Sequence, residues 1–257
     1  MAPRIVTLTT DFGGRDGYVA VLKGVLLAEA GEVTVVDVTH EIPPGDVLAA
    51  AWVLANTWRA FPDGTVHLAV VDPGVGSDRR GLALRAGGHL FVGPDNGLFT
   101  LVIDAVTGAR AFELTNRELW HQPPAPTFHG RDIFAPVAAA LVRGVPLETV
   151  GDEVRSVQVL PTAKPLRRED GLVAHIVHID RYGNCVTDLR AEDLPPAAVS
   201  VRHGRRKIEE LVHYYAQAPE GRLVALVNSS GYLELARRGG SAAEELEARR
   251  GDEVVIA

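Results

Sequence analysis

At 257 residues the chain is long enough for one large domain or two small ones with a buried core, and 46% apolar with 23% charged residues is an ordinary globular composition. A formal charge of −7 argues against nucleic acid as the main partner, because neutralising phosphates needs a basic stripe, and suits a cationic ligand instead. The single cysteine, Cys185, excludes an intrachain disulfide and a thiolate metal cluster; with no apolar leader in M-A-P-R-I-V-T-L-T-T-D-F and no run near the ~20 apolar residues of a membrane span, a soluble cytoplasmic protein without a membrane partner is expected.

Residues 4–9 read as a first strand, followed by a loop, T-T-D-F-G-G-R-D-G, that carries Asp11 and Asp16. A helix is expected over 18–30, where Val19, Leu22, Val25, Leu26 and Leu27 share one broad face and Gly31 is a natural stop. Residues 33–38 form a second strand, and Asp46 caps a helix over 47–59. The third strand, 66–72, ends on Asp72 and breaks into a loop with Pro73, Gly74, Gly76 and Arg79. This β-α-β-α-β alternation predicts a largely parallel sheet with ligands at the carboxyl ends of its strands. An aspartate before Pro-Gly also starts turns, so spacing alone leaves Asp72 open between turn and function.

Residues 82–85 and 89–92 read as a hairpin around Ala86, Gly87 and Gly88, and 93–97, G-P-D-N-G, as a second turn before an apolar run at 98–105. A proline-rich loop, H-Q-P-P-A-P-T-F-H-G-R-D, leads into a helix with Asp132 as its cap, Pro136 in its first turn and Gly144 at its end. Residues 161–171 read as a linker. Short strands follow at 172–180, 185–189, 199–202, 222–227 and 252–256, the texture of a small barrel. The expected fold is an α/β domain over 1–160 with a largely parallel central sheet, plus a smaller C-terminal β-barrel domain over 172–257.

Standard motifs are missing. The loop has glycines at 74 and 76 but Arg79 where a dinucleotide fingerprint needs its third glycine, and there is no G-x-x-x-x-G-K, no G-x-S-x-G and no H-E-x-x-H. His175 and His178 straddle a strand and point to opposite faces, so a metal centre is disfavoured.

Six segments, in order along the chain, carry a resemblance: T-D-F-G at 10–13, V-D-P-G-V-G-S-D-R at 71–79, G-P-D-N-G at 93–97, F-H-G-R-D at 128–132, D-R-Y-G-N at 180–184 and N-S-S-G-Y-L-E-L-A at 228–236. Together they resemble the S-adenosylmethionine (SAM) hydroxide adenosyltransferases, hydrolytic relatives of the SAM fluorinases and chlorinases. The resemblance implies an N-terminal α/β domain, a C-terminal β-barrel, and a homotrimer with active sites between the N-terminal domain of one subunit and the C-terminal domain of the next. It implies attack of water or hydroxide on ribose C5′ of SAM, releasing methionine and adenosine without a cofactor or metal.

By the same resemblance Asp72, Arg79 and His129 hold the nucleophilic water, with Asp72 or His129 as the base, and Asp11 takes the ribose hydroxyls. Asp16, Asp180 and Ser229 match residues gripping the methionine end, Phe128 and Tyr215 the aromatics lining the sugar and adenine pocket, and Asn184 and Gly239 groups that meet the purine. The halogenating relatives carry tyrosine, threonine and serine where this chain has Asp72, Val75 and Gly130. A carboxylate beside the nucleophile repels halide and suits water, so hydrolysis is expected rather than halide transfer or ligand binding alone.

Overall fold

The computed structural model describes residues 4–161, 164–169, 171–195 and 200–257. Contacts divide the chain into two compact units, Met1–Leu160 and Pro161–Ala257.

The first unit runs β1 (Ile5–Thr10), α1 (Tyr18–Ala30), β2 (Thr34–Thr39), α2 (Val47–Thr57), β3 (Val66–Val70), β4 (Gly81–Ala86), β5 (His89–Pro94), α3 (Thr100–Asp104), β6 (Arg110–Glu113), α4 (Ala135–Val142) and β7 (Glu153–Val154). Its seven-stranded sheet has the order β2-β1-β3-β5-β4-β6-β7. The sheet is mixed: β2, β1, β3 and β5 are parallel, whereas β4, β6 and β7 join through antiparallel pairs. The parallel half is the part built from the β-α-β-α-β alternation. Its inner strands β1, β3 and β5 are buried on both faces, as parallel strands with helical crossovers are, whereas the edge strand β2 is only partly covered.

Alternation along β3 sorts the two layers. Val66, Leu68 and Val70 pack with Leu22 and Leu26 of α1 and Val137 and Leu141 of α4, while Ala69 and the following Val71 pack with Ala50 and Leu54 of α2 and Val102 of α3. Between β1 and β3 the strand order reverses direction, and a crevice at the carboxyl ends of such strands is where α/β sheets bind ligands. Asp11 follows β1 and Asp72 follows β3, so the topology brings both to that crevice. Beneath it His67 is buried, with Nδ1 2.8 Å from Thr7 Oγ1 and Nε2 3.1 Å from His89 Nδ1; burial, with His89 beside it, lowers its pKa to about 3.

Two local expectations change. Leu27 is 55% exposed, because the face of α1 that the sheet covers is the narrower stripe of Leu22, Leu26 and Ala30. Asp132 is not a helix cap. A single π-helical turn, Gly130–Phe134, precedes α4, and the Asp132 carboxylate turns back to accept from Ala125 N at 2.8 Å and from Arg131 Nε at 2.7 Å. Asp46 does cap α2, accepting from Ala49 N at 3.0 Å.

The second unit contains β8 (Leu166–Arg168), β9 (Gly171–Ile179), β10 (Cys185–Arg190), β11 (Val201–His203), β12 (Arg206–Ile208), β13 (Leu223–Val227), β14 (Tyr232–Arg237), α5 (Ala242–Leu246) and β15 (Glu253–Ile256). The order β12-β11-β15-β9-β10-β14-β13 is antiparallel throughout, with β8 beside β9. The nine-residue β9 serves both halves, pairing with β15 through residues 172–175 and with β10 through 176–179. Past β12, Val212 N donates to Ala225 O and Ala225 N to Glu210 O, both at 2.9 Å, which nearly closes the sheet into a barrel and limits its open edge. The stretch 161–171, expected as linker, contains β8; its residues 162, 163 and 170 lie outside the described residues, as does residue 199 of the strand expected over 199–202.

Candidate active site

The loop after β3 turns on local hydrogen bonds: Val75 N donates to Asp72 O at 3.2 Å, and Ser77 Oγ to Gly74 O at 2.6 Å. Gly76 is required at its apex. Its φ is +80°, and a Cβ there would lie 2.5 Å from the carbonyl oxygen of Pro126. The close approach seats this loop against the 121–132 loop, which carries Phe128 and His129.

Asp72 and Arg79 face each other across the loop as a carboxylate and a guanidinium fork. Arg79 Nε donates to Asp72 Oδ1 at 2.9 Å and Oδ2 at 3.0 Å, and its Nη2 to Oδ2. The side chains are 6% and 11% exposed, so the pair is shielded from water and salt. Arg79 also lies 5.1 Å from the centroid of the Phe134 ring. The same Nη2 lies 2.9 Å from His129 Nδ1. A guanidinium is a donor only, so Nδ1 accepts and the neutral ring carries its proton on Nε2. Burial, then the Arg79 charge, lowers the His129 pKa against the smaller opposing pull of Asp72 and Asp132. Two side chains of one loop and a third 50 residues further along thus form one hydrogen-bonded line.

Asp11 is fixed beside them. Gly45 N donates to its Oδ2 at 2.8 Å, and a Cβ on Gly45 would sit 3.7 Å from Pro73 Cβ, so the Asp11 loop, the 43–45 turn and the Asp72 loop adjoin. Thr10 Oγ1 and His40 Nδ1, 2.8 Å apart, tie down the base of the Asp11 loop. Phe12, Tyr18 and Phe128 make a T-shaped aromatic cluster with centroids 5.4 to 6.0 Å apart. Asp16 is exposed in the loop before α1. A Cβ on Gly130 would meet Leu22, Phe128 and Val70 at 3.5 Å, ordinary contact distances.

In the second unit a different arrangement gathers at the β9–β10 and β13–β14 connections. Asp180 Oδ1 accepts from Tyr182 N at 2.8 Å and Asn184 N at 2.9 Å, and its Oδ2 from Asn184 Nδ2 at 2.9 Å. Asn184 is 7% exposed and its amide nitrogen is committed to that contact. Ser229 is exposed on the turn between β13 and β14, and Gly239 is exposed after β14. The Tyr215 hydroxyl donates at 2.7 Å to Glu234, a residue not singled out from the sequence. Glu234 sits between Leu233 and Leu235 and reads as the outward side of an alternating strand, but β14 is buried on both faces there and Glu234 is 3% exposed. Burial, with Asp180 adding, pushes its pKa up.

Residues 6–151 match the SAM hydroxide adenosyltransferase N-terminal domain and residues 174–255 the corresponding C-terminal domain. A relative named (R)-S-adenosyl-L-methionine hydrolase, from Salinispora tropica, is 43% identical over 98% of this chain and 97% of its own length. A protein named fluorinase, from Actinoplanes sp., is 29% identical over 98% of this chain and 97% of its own. The crystal structure of an uncharacterized conserved protein from Thermotoga maritima superposes with a TM-score of 0.92 at 36% identity, covering 98% of this chain and 99% of that one.

Proposed function

This chain belongs to the SAM hydroxide adenosyltransferase family, and from that premise we propose that it hydrolyses (R)-S-adenosyl-L-methionine to adenosine and L-methionine. The single observation that carries the reading is the half-buried Asp72, Arg79 and His129 line beside Asp11 at the strand-order reversal. The R label refers to the sulfonium stereocentre, since the methionine carbon is specified separately as L.

Water attacks C5′ as the C5′–S bond breaks, and sulfur takes the electron pair to leave as a neutral thioether. A sulfonium therefore needs neither an acid nor a cofactor to depart, and the task of the site is to aim and deprotonate water. The oxygen becomes strongly acidic only as the C–O bond forms, so a carboxylate is base enough, and Asp72 takes that proton and passes it to solvent. His129 is the weaker choice of base because its Nδ1 already accepts from Arg79 and its Nε2 carries the remaining proton. Arg79 holds the Asp72 carboxylate in one orientation and stabilises hydroxide character on the attacking oxygen. Asp11 takes the ribose hydroxyls, Phe128 and Tyr215 line the nucleoside, Asn184 and Gly239 meet the purine, and Asp16, Asp180 and Ser229 take the methionine end, assignments supported by the family resemblance.

A homotrimer, with each active site completed by a neighbouring subunit, and a cytoplasmic location belong to the same proposal. The first is supported by the resemblance and is checked by light scattering. Among the described residues no helix is long and apolar enough to cross a membrane.

The deciding experiment incubates the protein with each sulfonium epimer, with and without chloride or fluoride, and separates the products. Adenosine and methionine from the R epimer in equal amounts are expected. Absence of adenosine above background from a folded protein sinks the reading, and a 5′-halo nucleoside redirects it to halide transfer.

A further inference from the structure

We infer that Glu234 is a positioning residue, a single buried carboxylate that sets two loops holding opposite ends of the substrate. The inference rests on the functional reading above for what Tyr215 and Ser229 touch. Its geometry lies wholly within the second unit.

One oxygen, Oε1, accepts from the Tyr215 hydroxyl at 2.7 Å, and the other, Oε2, from Asn228 Nδ2 at 3.1 Å. Asn228 in turn builds the β13–β14 turn that carries Ser229: its Oδ1 accepts from Ser230 N at 3.0 Å and from Tyr232 N at 3.1 Å. Each carboxylate oxygen therefore governs one loop. Tyr215 faces the nucleoside and Ser229 the amino-acid end, so Glu234 couples the two grips.

The energetics fit such a role. A carboxylate 3% exposed is costly to bury, and among the described residues no lysine or arginine pairs with it; it is kept by the two donors it organises. A leucine in this place would pack the strand without that cost. An aromatic ring that is 43% exposed gains a fixed direction from its buried hydroxyl anchor, and an ordered ring spares the substrate the entropy of ordering it.

The test uses the full-length protein and the variants Glu234→Ala, Glu234→Gln, Tyr215→Phe and the double variants. Adenosine release gives KM and kcat, calorimetry gives the adenosine Kd, and thermal melting reports folding. Glu234→Ala is expected to raise KM and the adenosine Kd about tenfold, the scale of a lost charge-assisted hydrogen bond, with kcat within about threefold. Glu234→Gln keeps an acceptor for Tyr215 but sets donor against donor at Asn228, so its adenosine Kd recovers while KM stays raised. Tyr215→Phe weakens adenosine in the native background and adds less than about twofold to Glu234→Ala, because the two act as one unit.

Additive effects, or an unchanged KM and Kd in folded Glu234→Ala, overturn the inference. If Glu234→Ala does not fold, the cycle of Glu234→Gln with Tyr215→Phe decides on the same criterion. If the native protein binds adenosine but releases none from SAM, the functional reading falls and the Kd cycle still decides the inference. If it binds no adenosine, both fall.

Discussion

The carboxylates at the two candidate sites, Asp72 in the first unit and Asp180 and Glu234 in the second, are held in opposite ways. In the first, Asp72 is locked to a permanent cation, Arg79, by a guanidinium fork and shielded from solvent. In the second, Asp180 and Glu234 have only amides and a hydroxyl as partners among the described residues, and burial, with Asp180 adding, raises the pKa of Glu234. A charge paired inside the protein keeps its orientation whether or not a ligand is present, which suits a group that must aim water. Glu234 is committed to the two donors it organises, Tyr215 and Asn228, whereas the proposed methionine-end role of Asp180 would set its carboxylate against the substrate ammonium.

Breaking the paired side has the largest consequence. Asp72→Ala removes both the proposed proton acceptor and the anchor of Arg79, and kcat for adenosine formation is expected to fall by about 10²–10⁴-fold, measured by single-turnover product release. A folded variant that retains a tenth of the native rate refutes Asp72 as the base. Arg79→Lys sharpens the point, since an ammonium has the charge but not the fork and cannot meet Asp72 and His129 together. A loss of about 10–100-fold in kcat is expected; native turnover in this variant means that charge alone suffices.

Acid acts with opposite sign on two buried groups, one in each unit. His67 has a folded pKa lowered to about 3, so below its unfolded value near 6.5 the unfolded chain binds the extra proton, and the stability it contributes is complete above that pH and erodes as pH falls. Between pH 6.5 and 5 the loss is about 2 kcal/mol. Glu234 has a raised pKa, so the folded state binds more protons as pH drops and its burial penalty is relieved. All three tryptophans, Trp52, Trp58 and Trp120, lie in the first unit, and urea melts followed by their fluorescence report it selectively. The midpoint is expected to fall from pH 7 to pH 5, and an unchanged one contradicts the assignment of His67 as a buried neutral ring.

The smallest effect tests the scaffold under the first site. Asp46→Ala removes the cap of α2, which should cost about 1 kcal/mol and lower Tm by about 2–4 °C. Asp72, Arg79 and His129 hydrogen-bond to one another rather than to this cap, so kcat is expected to stay at the native value when assayed well below Tm, while KM reports any disturbance of the adjoining Gly45 N–H bond to Asp11.

Elements with a strong local code are legible in the amino-acid sequence itself. The helix over 18–30, the capped helix from 47, the hairpin around Gly87 and Gly88 and the strand ending near Asp72 follow from periodicity, a cap and turn glycines, which act over a few residues. The candidacy of Asp72, Arg79 and His129 comes instead from the family resemblance of the loop motifs they sit in, since spacing alone leaves Asp72 open between turn and function. Tertiary structure alone decided how those groups are joined. Arg79 meets His129 across 50 residues because Gly76 fits beneath Pro126, and Asp132 anchors its own loop rather than capping α4 because Ala125 and Arg131 reach it first. Glu234 stayed hidden because strand alternation assigns one face to solvent, and only the packing of the 212–218 segment, with Val212 and Ala218 against Ala236 and the Tyr215 hydroxyl on Glu234, shows a strand covered on both. Local patterns record what a residue does to its own backbone. Which distant group it touches depends on strand order and register, which no short stretch of sequence contains.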